Sequence, residues 1–231
     1  MKYKLTKYEK ETTVCFNEEE IKFEKKKAHT RYRLADGTVV PGVTTVLSVI
    51  AKPQLIHWAW DLGMKGQDFR KVRDGAADVG TIAHFMAECY LKDKLPDLTE
   101  FSPADVSLAE NSFIKFMEFW DGEGFSLLNS ETELVHEVLR YGGKLDVVAK
   151  DQSGKVCLID IKSSKAIYDE HWAQISAYRE LYPAPIQRHI IVRVGKTESM
   201  DLEVQERNDL LPYFRLFRAA LELYNAQKGL K

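Results

Sequence analysis

The run Val156-Cys157-Leu158-Ile159-Asp160-Ile161-Lys162 constrains the fold more than any other stretch of the chain. It is apolar, short and preceded by a turn signal at Gln152-Ser153-Gly154, so it reads as a buried β-strand. Side chains i and i+2 of a strand share a face. Asp160 and Lys162 therefore point the same way, on the face of Val156 and Leu158. Burying a charge is costly unless it is paired or binds a metal. Any fold for this chain has to bring something to meet these two groups.

The preceding strand, "GGKLDVVAKD", offers a partner in Asp146. The short turn makes the two strands antiparallel neighbours, which can bring Asp146 close to Asp160. Two nearby carboxylates repel unless a cation lies between them. Oxygen ligands suit Mg²⁺ or Mn²⁺. Lys162 then stands beside the metal and faces a substrate, where it can orient a water or stabilise charge on a phosphate; Ile161 packs behind. Gln174 and Tyr178 are four apart in the next helix and share a face, as do His84 and Glu88 upstream. A histidine can complete a shell made mostly of oxygens.

The rest of the chain supplies layers for such a sheet. The first forty residues alternate like strands, and Asp36-Gly37 between β-prone runs signals a hairpin. Thr44 or Thr45 can cap a helix through Val46 to Ile50, and a second helix follows Pro53. Asp78 to Asp93 reads as an amphipathic helix, and another after Pro103 stops at the Gly122 and Gly124 breakers. Strands follow over "ETELVHEVLRY", "GGKLDVVAKD" and "KVCLIDIKSS", then the helix "DEHWAQISAYRELY", the strand "QRHIIVRVGK" and a largely helical tail. The order predicts a mixed α/β or α+β domain, a central mixed sheet flanked by helices. One domain spans 1–231: N-terminal strands and helices over 1–77, a core over 78–200 and a C-terminal helix over 201–231.

With 231 residues, 45% hydrophobic and 29% charged, the chain has material for a sizeable core. Its net charge of −2 gives no global basic signal, so a nucleic-acid partner requires local positive charge. The segment Lys65 to Arg73 is the local candidate. Three dispersed cysteines without CxxC spacing argue against a disulfide framework, a cysteine-rich zinc site or a four-cysteine iron–sulfur cluster. No apolar run is long enough to span a membrane and the N-terminus is not a signal peptide, which predicts a cytoplasmic protein.

Taken in order, Gly80-Thr81-x-x-His84, Glu133, Gly143-x-x-Asp146, Asp160-x-Lys162 and Gln174-x-x-x-Tyr178 resemble the PD-(D/E)XK nuclease superfamily. The likeness is closest to its RecB-like exonuclease branch, found in phage, bacterial and mitochondrial DNA-processing enzymes. The stretch "PGVTTVLSVIAKPQLIHWA" also resembles phage members. The resemblance implies a restriction-endonuclease-like core with an N-terminal hairpin and helical additions. It implies a metal-dependent exonuclease that hydrolyses phosphodiester bonds with a metal-activated water. His84, Asp146 and Asp160, with the Ile161 carbonyl, would ligate Mg²⁺ or Mn²⁺, and Lys162 would be the catalytic lysine. Gln174 and Tyr178 match the motif that contacts DNA and supports the site, and Glu133 matches a glutamate on the strand leading to Asp146. The substrate would be single- or double-stranded DNA ends, in recombination, repair, replication or phage genome processing, and in the host cytoplasm if the chain is from a phage. Leu145 stands where other branches have proline. The cluster cysteines of some relatives are missing, so no iron–sulfur centre is expected.

Duller readings exist for each residue. Asp160 and Lys162 can be a solvated strand-end pair, and Gln174 and Tyr178 an ordinary amphipathic face. His57, His136, His171 and His189 read as structural, and Trp58, Trp60, Trp120 and Trp172 as core. An endonuclease of the same fold and a non-catalytic nucleic-acid-binding module are the competing functions; the intact Asp146, Asp160, Lys162 set disfavours the latter.

Overall fold

The computed structural model describes residues 2–5, 12–15, 19–23, 32–196 and 202–229. Small strands come first: β1 (Lys2–Leu5), β2 (Thr12–Cys15), β3 (Glu20–Lys22), β4 (Tyr32–Arg33) and β5 (Val39–Val40). Helices α1 (Val43–Leu47), α2 (Pro53–Met64) and α3 (Phe69–Leu91) follow, then β6 (Leu95–Asp97) and α4 (Pro103–Glu123). The second half holds β7 (Ser126–His136), β8 (Tyr141–Lys150), β9 (Val156–Lys162), α5 (Asp169–Leu181), β10 (Arg188–Arg193), β11 (Glu203–Glu206) and α6 (Leu211–Gly229).

The central sheet runs β11-β10-β9-β8-β7. Its pairs are antiparallel except β9 with β10, which are parallel. A parallel pair needs a long crossover, and α5 provides it. Strand alternation divides the core in two. Leu145, Leu158 and Ile191 pack on one face against α1, α5 and α6. Val147, Ile159, Ile161 and Val192 pack on the other against α3 and α4. The architecture is thus the expected mixed α/β, a central mixed sheet flanked by helices. β4 and β5 form the hairpin signalled by Asp36-Gly37, with Gly37 at φ +82°.

Several elements differ from expectation. α1 starts at Val43 with Gly42 as its N-cap, so Thr44 and Thr45 lie inside the helix. α3 begins at Phe69 rather than near Asp78, because the Asp68 carboxylate accepts the Arg70 N–H at 2.9 Å and caps it there. The basic segment is therefore the approach to this helix and its first turn. α4 runs through Gly122 and ends at left-handed Gly124. The tail from 201 contains β11 as well as a helix. Its sequence, Glu-Val-Gln-Glu, has little strand signal, but ion pairs from Arg193 to Glu203 (2.6 Å) and Arg188 to Glu206 (2.9 Å) pin it to the sheet edge. The strand readings over 6–11, 16–18 and 24–31 fall outside the described residues. Trp120 and Trp172 are core, whereas Trp60 is 64% exposed on α2.

Candidate active site

The site forms where the β8–β9 ladder stops. Regular pairing runs from Lys150↔Val156 to Val147↔Ile159 and goes no further. Beyond it, the Asp146 carboxylate replaces a main-chain partner, with Oδ2 accepting the Ile161 N–H at 2.9 Å. On the other side of β8, Glu131 lies between the register pairs Ser130↔Val147 and Thr132↔Leu145, opposite Asp146. Its φ of 52° is left-handed, a conformation that costs a non-glycine residue about 1–3 kcal/mol and clusters at functional positions. Lys144 forms an ion pair with Glu131.

His84 reaches this point from α3, with Nδ1 3.8 Å from Asp146 Oδ2. His84, Glu131 and Asp146 each offer one ligand atom, and the three atoms lie within 4.8 Å of one another. Burial holds the His84 imidazole below its ordinary pKa against the pull of Asp146, so at neutral pH a ring nitrogen keeps its lone pair.

Asp160 and Lys162 share the other face, as the strand pattern predicts. Asp160 is 1% exposed, and Lys162 Nζ lies 2.7 Å from its Oδ2. Apart from this ion pair, no hydrogen bond reaches either Asp160 oxygen among the described residues. Burial pushes the Asp160 carboxyl up in pKa despite Lys162, and Asp146 adds to the push. For Lys162 burial acts downward, but Asp160 and Asp146 outweigh it and keep the ammonium charged. A buried carboxylate with one cationic partner and a second carboxylate nearby is costly. A divalent cation would relieve it, and a set of carboxylates plus one neutral imidazole suits such an ion.

Lys162 continues into α5. Its Nζ donates to Gln174 Oε1 at 3.1 Å, and Gln174 Nε2 donates to the Tyr178 hydroxyl oxygen at 2.8 Å. A lysine only donates, so this contact fixes which way the amide points. Two glycines give the chain the space it needs. A Cβ at Gly143 would stand 2.6 Å from the Tyr178 ring, and one at Gly80 would stand 2.7 Å from Ser163 Oγ.

Two clefts open beside the end of β9. One, of about 620 Å³, is lined by Gly80, Thr81, His84, Glu131, Asp146 and Ser163 among others. The second, of about 640 Å³, is lined by Lys52, Leu55, Lys162, Glu170, His171 and Gln174 among others. The structure thus places His84 with Asp146 and places Lys162 with Asp160, Gln174 and Tyr178. Ile161 lies between them, its backbone N–H donating to Asp146. Asp160 is not one of the three residues around His84. Glu133 pairs in register with Lys144 and is likewise outside that group. Glu131 is the residue sequence reasoning passed over. The segment "ETELVH" holds both glutamates, and only the register across the β7–β8 turn distinguishes the one opposite Asp146.

No protein-family model and no curated protein sequence matches the chain. Among solved structures it is similar to a putative exonuclease from Eubacterium rectale, at 14% identity and a TM-score of 0.44. That alignment covers 66% of this chain and 65% of the other, just under two thirds of its length. It is also similar to an alkaline exonuclease from Laribacter hongkongensis, at 13% identity and a TM-score of 0.35, over 67% of this chain and 90% of that one. A structure of the latter enzyme with dAMP aligns at 15% identity and a TM-score of 0.28, over 67% of this chain and 91% of that one.

Proposed function

We propose that the protein is a metal-dependent DNA exonuclease. The observation that carries this reading is the join between two half-sites. The buried Asp160 and its ion-pair partner Lys162 adjoin the Asp146 carboxylate, which faces His84 and Glu131. His84, Glu131 and Asp146, with Asp160 and the Ile161 carbonyl, would hold Mg²⁺ or Mn²⁺. When bound, such a cation lowers the pKa of a water and neutralises charge on a phosphoryl oxygen. Lys162 stays protonated between its carboxylates and donates toward the phosphate or the attacking water. Gln174 holds the Lys162 amine in place, and Tyr178 holds Gln174. The resemblance of the ordered motifs to RecB-like exonucleases supports DNA ends as the substrate.

Digestion of linear and circular DNA, with Mg²⁺ and with EDTA, tests the reading. Loss of linear DNA alone, only with Mg²⁺, is the expected result. Cleavage of both forms makes the protein an endonuclease, and binding without cleavage makes it a non-catalytic module.

A further inference from the structure

The residues just beyond β10 are anchored from three sides. The Val194 N–H donates to the Lys162 carbonyl at 2.7 Å, which ties this segment to the end of β9. Two buried side chains of α4 fix the next two residues. Ser112 Oγ donates to the Gly195 carbonyl at 3.0 Å, and Asn111 Nδ2 donates to the Lys196 carbonyl at 3.1 Å. What this anchoring positions is the side chain of Lys196. Val194 packs on the face of the sheet that meets α3 and α4. Lys196, two residues on, reaches α3, where its Nζ donates to the Ala76 carbonyl.

A helical carbonyl points at the N–H four residues further on. The Ala76 carbonyl therefore points at Gly80, and the Lys196 ammonium lies beside that glycine. Gly80 has no side chain, and the Ser163 Oγ stands 2.7 Å from where its Cβ would be. Ala77, Gly80 and Ser163 line the cleft of His84, Glu131 and Asp146. From Gly80 to His84 is one turn of α3, about 6 Å. Lys196 is half-buried, and among the described residues no carboxylate pairs with it. Burial holds its ammonium below the ordinary lysine range, with no neighbouring charge to oppose the shift. An ammonium has three donors, and the Ala76 carbonyl takes one of them.

We propose that Lys196 and Ser163 form a phosphate subsite at Gly80, which binds a DNA backbone phosphate next to the one held in the His84 and Asp146 cleft. The inference rests on the nuclease reading and adds a substrate contact outside the Asp146, Asp160, Lys162 set. A half-buried cation that lacks an anion gains a charge-assisted hydrogen bond when a phosphate arrives. A tether between this segment and α3 needs a donor to Ala76 but no charge, and Ser112 and Asn111 already hold the segment.

The test is fluorescence anisotropy of the full chain with a labelled duplex bearing 5′-hydroxyl ends, which offers backbone phosphates alone. Ca²⁺ replaces Mg²⁺ to suppress cleavage, and binding is followed over a range of NaCl concentrations. Lys196→Met is expected to lower the slope of log affinity against log salt by about 0.9, which is about an eight-fold loss of affinity for each ten-fold dilution of salt. Lys196→Arg keeps the charge and should keep the slope. Ser163→Ala removes a donor and no charge, so it should weaken binding about three-fold at unchanged slope. Phosphorylating the 5′ ends should leave these losses as they are. A wild-type slope in Lys196→Met, unaltered binding by Ser163→Ala, or losses confined to phosphorylated ends overturns the inference while leaving a cleaving wild-type enzyme intact. A second measurement needs no variant to fold: in the wild type, bound DNA should shield Lys196 from amine acylation read by mass spectrometry. Equal labelling with and without DNA overturns the inference as well. A wild-type protein that neither binds nor cleaves DNA overturns the nuclease reading itself, and this subsite with it.

Discussion

His84 and His171 are on opposite faces of the central sheet, and each lines one of the two clefts. Burial lowers the pKa of both, but the neighbouring charges act differently. Asp146 pulls His84 back up, against a smaller push from Lys162. At His171, Lys162 and Lys52 add to burial and drive the ring down to about 3. The strongest neighbouring charge is therefore a carboxylate at His84 and an ammonium at His171, with β9 between them. Phosphodiester hydrolysis uses both: anionic ligands to seat a cation, and a fixed ammonium to meet the phosphate. Asp160 belongs to neither cleft and is the buried link, with Lys162 against it and Asp146 nearby.

The most severe way to break this division is to remove its central cation. Lys162→Ala is expected to lower the cleavage rate by at least about 10²–10³-fold, the usual cost of deleting a group that stabilises transition-state charge. DNA binding should persist, since the exposed cations Lys65, Arg70 and Lys71 remain. Wild-type-like turnover of folded Lys162→Ala would remove the catalytic assignment.

A smaller effect is expected one step away, in α5. Tyr178→Phe removes only the hydroxyl that accepts from Gln174 and leaves a half-buried amide donor without this partner, at about 1 kcal/mol. Gln174 should then lose its hold on Lys162, and activity should fall about ten-fold. Arg179, one residue along, is exposed and touches Glu180, so Arg179→Ala should be near neutral. If both variants are folded and Arg179→Ala is the more damaging, the lysine cleft is not organised by α5.

On the acidic side, Glu131→Gln should raise the Mg²⁺ concentration needed for activity more than Glu133→Gln does. Glu131 lies opposite Asp146 and in the group with His84, whereas Glu133 does not. A Mg²⁺ titration of cleavage for the two variants compares them directly. An equal shift, or a larger one for Glu133→Gln, removes Glu131 from the candidate ligand set.

Much of the lysine side was legible in the sequence. Asp160 and Lys162 announce a shared face by strand periodicity, and Gln174 and Tyr178 by helical spacing; both rules are local. The acidic side depends on register. Whether Glu131 or Glu133 stands opposite Asp146 depends on how β7 and β8 pair, which spacing alone did not fix. β11 is held by Arg188 and Arg193 from the neighbouring strand, a non-local cause invisible in its own four residues. Trp60 shows the converse limit. Its position in an apolar helix suggested core, but α2 turns that stripe outward.

The smallest expected effect comes from His171 and is read in stability. Its Nδ1 accepts the Tyr168 N–H at 3.3 Å at the start of α5, so the folded state needs the neutral ring. The ring titrates at about 3 in the fold against an ordinary 6.5. Between these values the unfolded chain binds the proton and the folded chain does not, so stability falls as pH drops below about 6.5. His171→Gln keeps an acceptor at the third helical position, where glutamine is a natural capping-box residue, but removes the titration. At pH 7 the variant should unfold within about 0.5 kcal/mol of wild type. As the pH is lowered through 6 and 5, wild type should lose stability faster than the variant, because only it gains a proton on unfolding at this site. Denaturant unfolding at a series of pH values measures the difference. Parallel curves would mean that His171 can accept a proton in the folded state, and the cleft around it would then not carry the positive field that sets it apart from the His84 side.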